Sequence, residues 1–420
     1  MVPAGRLAAA DDAWLQSQTM KVLLGGLGAA ADDARLQRWG HSAVRVGARV
    51  AVFGGYGGAK PKRCGDVLLV DASGAVEEAA IAADAAAPAA REQHAAAGWK
   101  NGFVAFGGRA DPAKPFRDAW TCAVAGDTCA WTAVDAAGDA PPARWAHALL
   151  PLPGGDAFLV IGGRDAVGAL EGDAWSLALD GAGTGTWAPV ACENGPVHAP
   201  ACCGATRDGA ILVFGGGGGV AARTLEDGAW RAIACDDAAA EQLERDGGAV
   251  AATGADGELL LVGGAPRAHA EPCRAPGPTP APRSELADAA VLRFDGETVA
   301  LAAAATVDGD ARYPVDAAAA ELGDGVLVLG GGVPYLFGPV FGASFAVRFD
   351  RAAVAVGADA ASDAAADAGA ATDAAADANG PSDEATVDPP ESPPEPPPAS
   401  AAEKSAEPTP LPAPPTPPPG

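Results

Sequence analysis

The sequence predicts an all-β fold, a β-propeller of six four-stranded blades. An apolar run that ends in Gly-Gly recurs six times, and each run is too short for a buried helix but suits a strand. Further short strands precede and follow each run, with turn residues between them. Four strands in each of six units of roughly 50 residues is the sequence pattern of a propeller. The first glycines of the six pairs are at positions 54, 107, 162, 215, 263 and 330.

Each strand of the unit has its own signature. A first strand such as SAVRV (42–46) leads through a turn into the Gly-Gly strand, the third strand opens with Asp, as in DAWTCAV (118–124), and the fourth often carries Trp, as in AWTAV (130–134). Paired glycines allow positive φ and close approach of neighbouring backbone, while large tryptophans of the DAW motif are suited to packing between blades. We therefore assign structural roles to Gly54, Gly55, Gly107, Gly108, Gly162, Gly163, Gly215, Gly216, Gly263, Gly264, Gly330, Gly331, Trp120 and Trp175.

The ends of the array and two of its repeats depart from this pattern. The fourth repeat has a reduced third strand, RTLED (223–227), and the fifth carries an insertion at 267–285. The stretch MKVLLGGLG (20–28) is expected to close the propeller or, if there are seven blades, to belong to a partial one. The predicted organisation is an N-terminal segment (1–37), the propeller (38–357) and a tail (358–420).

The tail and the overall charge limit the classes of partner. The tail is rich in Ala and Asp and then in Pro, has no aromatic residue, and is expected to be disordered. The formal net charge of the chain is −26, which repels phosphate backbones and disfavours direct nucleic-acid binding.

The termini, cysteines and histidines predict a cytoplasmic monomer without metal or cofactor. Asp11 and Asp12 lie where a signal peptide would need apolar residues, and no apolar run is long enough to span a membrane. The eight cysteines form no C-x-x-C motif and there are only five histidines, so we expect no structural zinc site.

A second periodicity joins Arg and His. RWGH (38–41), REQH (91–94) and RWAH (144–147) recur at a constant interval, and Arg312 is the candidate for the same position in the sixth blade. One interpretation is a ring of basic groups at one mouth of the propeller that binds an anion. The other is architectural: each Arg bonds loop carbonyls or an Asp of the next blade. Repetition in three blades favours the architectural role.

Motifs for catalysis and for nucleotide binding are weak. No G-x-S-x-G or H-E-x-x-H occurs, and GGLGAAADD (25–33) lacks the βαβ context of a dinucleotide loop. The run GGGGG (215–219) has no following Lys-Ser or Lys-Thr, so it is not a P-loop. We assign no catalytic residue and expect that this chain alone is not an enzyme.

The Gly-Gly pairs, the DAW motif and the later Trp resemble kelch repeats over about residues 38–357. Two stretches, WGHSAVRVGARVAVFGGYGG (39–58) and GGRADPAKPFRDAW (107–120), look more narrowly like the kelch domain of wybutosine-synthesis proteins. LGGGVPYLFGPVFG (329–342) in the last blade looks like the same family, although Pro334, Pro339 and Val340 depart from its pattern. The resemblance implies a role in modifying tRNA-Phe, with the chemistry in a separate S-adenosylmethionine-dependent methyltransferase domain that is not recognisable here.

These observations predict a non-catalytic kelch propeller that acts as a protein-interaction or scaffold module, with tRNA-modifying enzymes among its partners. One alternative is a propeller enzyme or small-anion-binding protein that uses the arginine ring. Another is a kelch adaptor of a ubiquitin ligase, for which no BTB or F-box segment is recognisable. The candidate ligand- or partner-binding residues are Arg38, His41, Arg91, His94, Arg144, His147, Arg312, Tyr335 and Phe337.

Overall fold

The structure is a computed structural model of the chain. By its internal contacts the chain divides into Met1–Val356 and Gly357–Gly420, and all described residues lie in the first unit. The predicted disordered tail and the insertion at 267–285 therefore lie outside the described residues. These are 20–26, 33–58, 60–82, 86–111, 113–167, 173–181, 183–191, 203–207, 210–214, 222–226, 229–243, 245–252, 258–266, 289–305, 317–322, 325–335, 338–341 and 344–351.

The described residues are mostly in strands, as the alternation of short apolar runs and Gly-rich turns predicts. One short helix, α1 (Asp237–Leu243), is present, and no helix of the described part is long and apolar enough to cross a membrane. In chain order the strands are β1 (Met20–Gly26), β2 (Arg38–Val46), β3 (Arg49–Gly57), β4 (Lys62–Arg63), β5 (Val67–Asp71), β6 (Val76–Glu78), β7 (Ala80–Ile81), β8 (Ala95–Trp99), β9 (Gly102–Phe106), β10 (Ala119–Ala125), β11 (Thr128–Ala133), β12 (Asp135–Gly138), β13 (Ala148–Pro151), β14 (Ala157–Ile161), β15 (Ala174–Leu179), β16 (Thr184–Val190), β17 (Cys203–Arg207), β18 (Ala210–Phe214), β19 (Ala222–Glu226), β20 (Ala229–Cys235), β21 (Arg245–Ala252), β22 (Glu258–Pro266), β23 (Ala289–Phe294), β24 (Thr298–Ala305), β25 (Ala318–Leu322), β26 (Gly325–Leu329), β27 (Gly332–Tyr335), β28 (Gly338–Phe341) and β29 (Phe345–Arg351).

These strands form six antiparallel blades, as predicted. The first blade is β2-β3-β5-β6, the second β8-β9-β10-β11, and the third β13-β14-β15-β16. The fourth is β17-β18-β19-β20 and the fifth β21-β22-β23-β24, and these two are joined by a short parallel pairing of β20 with β24. The reduced third strand of the fourth repeat is β19, one residue earlier than the RTLED segment that we expected to form it.

The sixth blade draws on both ends of the propeller. It has the order β25-β26-β29-β1, and β1 pairs antiparallel with β29 from Met20↔Arg351 to Gly26↔Phe345. The described part of the stretch, Met20–Gly26, thus supplies the outer strand of the last blade instead of starting a seventh. The hairpin β27–β28 is inserted between β26 and β29.

The ring is closed through the first strands of the blades. Each of β2, β8, β13, β17, β21 and β25 contacts the first strand of the following blade, and β25 contacts β2. In each blade the loop between the second and third strands lies at one side of the propeller. The first strand starts at this side and the second strand ends there. We call this side the loop face. The turns between the first and second strands lie at the opposite side.

Aromatic side chains of neighbouring blades fill the space between them. Trp131, on the fourth strand of the second blade, is 4% exposed, and its ring centroid lies 4.7 Å from that of Phe53 in the first blade and 5.3 Å from that of Phe103. Trp187 of the third blade lies 5.0 Å from Phe106 of the second in the same way. The buried tryptophans of the fourth strands therefore make these inter-blade contacts.

The tryptophans of the DAW motif are less buried between the blades than we expected. Trp120 is only partly buried at the margin of the cluster around Trp131, and its indole N–H donates to Asp118 at 2.6 Å. Trp175 donates to Asp173 in the same way. Because these tryptophans lie at the start of the third strand, beside the loop, their polar end meets the Asp of their own motif.

Replacing Trp131 by Ala should strongly destabilise the propeller. The substitution leaves a cavity between two blades, so we expect the free energy of unfolding to fall by about 3–5 kcal/mol. Urea denaturation followed by far-UV circular dichroism measures this change. Val167→Ala is the control, because Val167 is 89% exposed and its truncation should change stability by less than about 0.5 kcal/mol. Similar losses for the two variants would contradict the packing role of Trp131.

Candidate functional site

The arginine of each R-x-x-H motif is buried inside its own blade. In the second blade, the Nη1 and Nη2 groups of Arg91 donate to Asp118 at 2.8 and 2.9 Å, and Nη1 also donates to the carbonyl of Gly107 at 2.9 Å. The Asp comes directly before the third strand of the same blade. The equivalent pairs are Arg38 with Asp66 and Arg144 with Asp173.

The backbone of these arginines joins one blade to the one before it. The carbonyl oxygen of the Arg accepts a hydrogen bond from the N–H of the second glycine in the preceding Gly-Gly pair. These bonds run from Gly55 to Arg91 (2.8 Å), from Gly108 to Arg144 (2.9 Å) and, from the sixth blade to the first, from Gly331 to Arg38 (2.8 Å).

The first glycine of the pair leaves room for the next blade. Gly54 has φ of 67°, and a Cβ there would lie 2.7 Å from the carbonyl oxygen of Arg91 and 2.8 Å from Cε1 of His94. Neither contact is tolerable for a real side chain, so the Gly-Gly pair is required both by its φ and by the approach of the neighbouring motif.

The histidines of the motif are buried and electrically neutral. Burial lowers the pKa of His41 and of His147 to about 3, and the nearby guanidinium groups of Arg38 and Arg144 act in the same direction. Burial also lowers the pKa of His94 well below its usual value, and the ring Nε2 of this residue lies 2.9 Å from the hydroxyl of Ser42 in the first blade. These rings therefore pack between blades as uncharged groups.

The geometry fits the architectural interpretation of the motif and not an accessible anion-binding ring. The guanidinium groups of Arg38, Arg91 and Arg144 are at most 1% exposed and are bonded to carboxylates and carbonyls. The architectural interpretation expected bonds to loop carbonyls or to an Asp of the next blade: the carbonyl bonds are present, but the Asp partners lie in the same blade. Of the remaining candidates, Arg312 and Phe337 lie outside the described residues, and only the backbone of Tyr335, at the end of β27, is described.

The accessible side chains of the loop face form a cluster of cations and aromatic rings. The carboxylate of Glu92 accepts from Arg109 at 3.0 Å and from Arg63 of the first blade at 3.5 Å. The guanidinium of Arg109 lies over the ring of Trp145 in the third blade, 3.8 Å from its centroid. We call this group the loop-face cluster; its members are Tyr56, Arg63, Glu92, Arg109, Trp145 and Arg164.

Two further stacked pairs extend the cluster over three blades. The guanidinium of Arg164 lies 5.6 Å from the ring centroid of Trp145, and that of Arg63 lies 6.0 Å from the ring centroid of Tyr56. Cations placed over aromatic rings in this way are held in position by the ring quadrupole. The cluster is thus an ordered surface with contributions from the first, second and third blades.

Glu92 is the buried centre of this cluster. Its side chain is 2% exposed, and burial raises the pKa of Glu92, an effect that Arg109 and Arg63 reduce. In the described part of the chain, Oε2 of Glu92 and Nε of Arg63 are buried and have no hydrogen-bond partner. Both atoms are shielded from solvent, so they lie on the inner side of the cluster.

The sequence signal for the cluster is present but was not used in our prediction. Glu92 and Trp145 directly follow the motif arginines, and Tyr56, Arg109 and Arg164 directly follow the Gly-Gly pairs. Because the residue after each motif Arg is paired through its backbone with the residue after the Gly-Gly pair of the same blade, the two side chains lie close together at the loop face. As for metals, no group of three or more His, Cys, Asp or Glu side chains is placed to hold an ion within the described ranges.

Comparison with known proteins identifies the repeat. Residues 27–216 match the family model for the KLHDC2/KLHL20/DRC7 Kelch-repeats domain. The matched range spans the first three blades and reaches the Gly-Gly pair of the fourth, so this part of the chain is a kelch-repeat domain, as the repeat pattern predicted. Kelch domains generally serve as non-catalytic interaction folds. No curated protein matches the chain.

Asp118→Asn should destabilise the propeller by removing the charge that compensates Arg91. Burial alone would raise the pKa of Asp118, but the hydrogen bonds and charge of Arg91 outweigh it and hold that pKa below its usual value. Because Asp118 is partly exposed, we expect a loss of about 2–3 kcal/mol in the free energy of unfolding, measured by urea denaturation. Asp111→Asn is the control, since its pair with exposed Lys114 should contribute less than about 1 kcal/mol. Equal losses would contradict the role of the Arg91 pair.

The buried histidines should make the propeller sensitive to acid. Because the pKa of His147 falls from 6.5 to about 3 on folding, the unfolded chain binds more protons between these values. The stability that depends on neutral His147 is complete above pH 6.5 and is lost as the pH falls. His147→Gln should therefore reduce the slope of unfolding free energy against pH in this window by about 1.4 kcal/mol per pH unit. Urea denaturation at several pH values tests this, and an unchanged slope would contradict it.

Proposed function

We propose that this chain is a non-catalytic protein-interaction module whose partner binds at the loop-face cluster. The observation that carries the proposal is the ordered set of cations and aromatic rings drawn from three blades. Aromatic residues and Arg are the residue types enriched at protein interfaces and at their energetic centres. The kelch-repeat match over the same blades supports an interaction role for this region.

The arginines of the cluster are partly exposed and held in a fixed orientation, as expected for a binding surface and not for the core. Arg63 has 32% of its side chain exposed and Arg109 has 12%, so both reach solvent while their other contacts fix their orientation. A side chain that is already ordered loses less conformational entropy when a partner binds. The buried Arg–Asp pairs beneath it keep the supporting loops at a constant geometry.

A finer proposal concerns the pathway. The hairpin β27–β28 in the last blade belongs to the segment on which the resemblance to wybutosine-synthesis proteins depends most. We propose that tRNA-modifying enzymes are among the partners. Recovery of such enzymes with the tagged chain supports this assignment, and their absence from a capture that otherwise succeeds would remove it while leaving the interaction role.

Truncating the cluster should abolish partner capture. We expect the double variant Arg109→Ala/Arg164→Ala to recover at least tenfold less of any specific partner than the tagged wild-type chain does. Quantitative mass spectrometry of pull-downs measures the recovered amounts. Because Arg109 compensates the buried carboxylate of Glu92, we expect the variant to melt at a lower temperature than the wild type. Recovery is therefore compared at a temperature at which both chains give the same circular dichroism spectrum.

Arg45→Ala is the matched control for this experiment. Arg45 is exposed at the other end of β2, near the turn at Gly47, so its loss changes the charge at the opposite side of the propeller. Equal recovery of partners by Arg45→Ala and by the double variant would place the binding surface elsewhere and defeat the proposal.

A further inference from the structure

We propose that the loop face binds an acidic segment of a partner protein, in which Asp or Glu side chains are closely spaced. This inference rests on the proposed function and adds the chemistry of the partner. It follows from the charge of the loops around the cluster and from the way in which the cluster holds its arginines.

Positive charge is concentrated on the loop face of a strongly acidic chain. The whole chain has 28 Lys and Arg against 54 Asp and Glu. The loops between the second and third strands of the first three blades hold seven Lys and Arg against six Asp and Glu, and three of these carboxylates are paired with the buried arginines. The basic residues of these loops are Lys60, Lys62, Arg63, Arg109, Lys114, Arg117 and Arg164.

Several of these cations are not neutralised by the protein. Lys60, Lys62 and Arg117 are exposed and form no ion pair with the described residues. The pair of Lys114 with Asp111 is solvated, with 75% of the lysine side chain exposed, so it screens little charge. An anionic partner could therefore form ion pairs with Lys60, Lys62 and Arg117 at the loop face.

The stacked arginines favour carboxylates as the anionic groups. Arg109 is fixed by Glu92 on one side and by the ring of Trp145 on the other. The planar guanidinium matches a carboxylate in shape, and prior fixation reduces the entropy lost when the contact forms. The side chain of Arg63 is 32% exposed, so its guanidinium reaches the same surface.

The overall charge favours a short acidic peptide over a nucleic acid. The cations of the proposed site lie together on the loop face, whereas the chain as a whole carries −26. A long polyphosphate that extends beyond the patch would meet repulsion, whereas a segment with a few carboxylates stays within it. At physiological salt the screening length is about 8 Å, so the binding of a short segment depends mainly on the charges of the patch and little on the distant acidic residues.

The test measures binding of labelled 12-residue oligomers to the full chain by fluorescence anisotropy. The probe is a fluorescein-labelled alternating Gly-Glu peptide, compared with the matching Gly-Gln peptide and with a U12 RNA. We expect the Gly-Glu peptide to bind at least tenfold more tightly than the other two, and its affinity to fall several-fold between 50 and 300 mM NaCl. The variant Lys60→Glu/Lys62→Glu/Arg117→Glu should weaken this binding at least tenfold, while Arg45→Glu should not.

Each other result overturns the inference. Absence of binding by the Gly-Glu peptide, equal binding by the Gly-Gln peptide, or tighter binding by the RNA would reject an acidic protein segment as the ligand. The reversed side chains are exposed, and Lys60→Ala/Lys62→Ala/Arg117→Ala, expected to weaken binding at least threefold, provides a second variant if the charge reversal perturbs folding. If partner capture depends on Arg109 and Arg164 but the Gly-Glu peptide does not bind, the proposed function stands and this inference fails.

Discussion

The buried arginine that precedes or begins the first strand connects the separate parts of this propeller. Its guanidinium joins the end of the second strand to the start of the third within one blade, and its carbonyl oxygen joins that blade to the preceding Gly-Gly pair. A buried charge without a partner would cost several kcal/mol, so the Arg, the Asp and the two glycines must occur together. Their repetition, including the bond from Gly331 to Arg38, means that ring closure uses the same contact as the junctions between the first and second blades and between the second and third.

This constraint explains where the chain is free to vary. The side chains of the Arg and the Asp are tied to the frame by hydrogen bonds. The residue after the Arg and the residue after the Gly-Gly pair bond each other only through their backbones in the frame, as Trp145 and Arg164 do, which leaves their side chains free to differ. In the first three blades the position after the Arg holds Trp or Glu, and the position after the Gly-Gly pair holds Tyr or Arg. Since the frame beneath them is constant, side chains at these positions meet across blade boundaries, as Arg109 and Trp145 do. A structural repeat thereby carries a surface whose chemistry is not repeated.

Most of the fold could be predicted because its signals are local and recur. Six Gly-Gly strands, each with its neighbours, define the blades, and the recurring RWGH, REQH and RWAH motifs indicate the junctions. The pairing partners of those arginines could not be inferred from one sequence, because an Asp in the same blade and one in the next are both chemically suitable. The sequence also did not indicate which tryptophans are buried between blades, those of the DAW motif or those of the fourth strands. Both are large and apolar, and only the position along the strand decides which is buried.

The loop-face cluster was missed for a different reason. Its members are far apart in sequence and individually ordinary, and our search treated the arginines of the repeat as the candidates for binding. A side chain that recurs at the same position of several blades must satisfy the same contacts in each, so recurrence favours a role inside the frame. A binding surface is specified by the differences between blades, such as Glu92 between two tryptophans at equivalent positions, or Arg109 and Arg164 where the first blade has Tyr56. In a repeat protein the departures from the repeat are therefore the more informative guide to function.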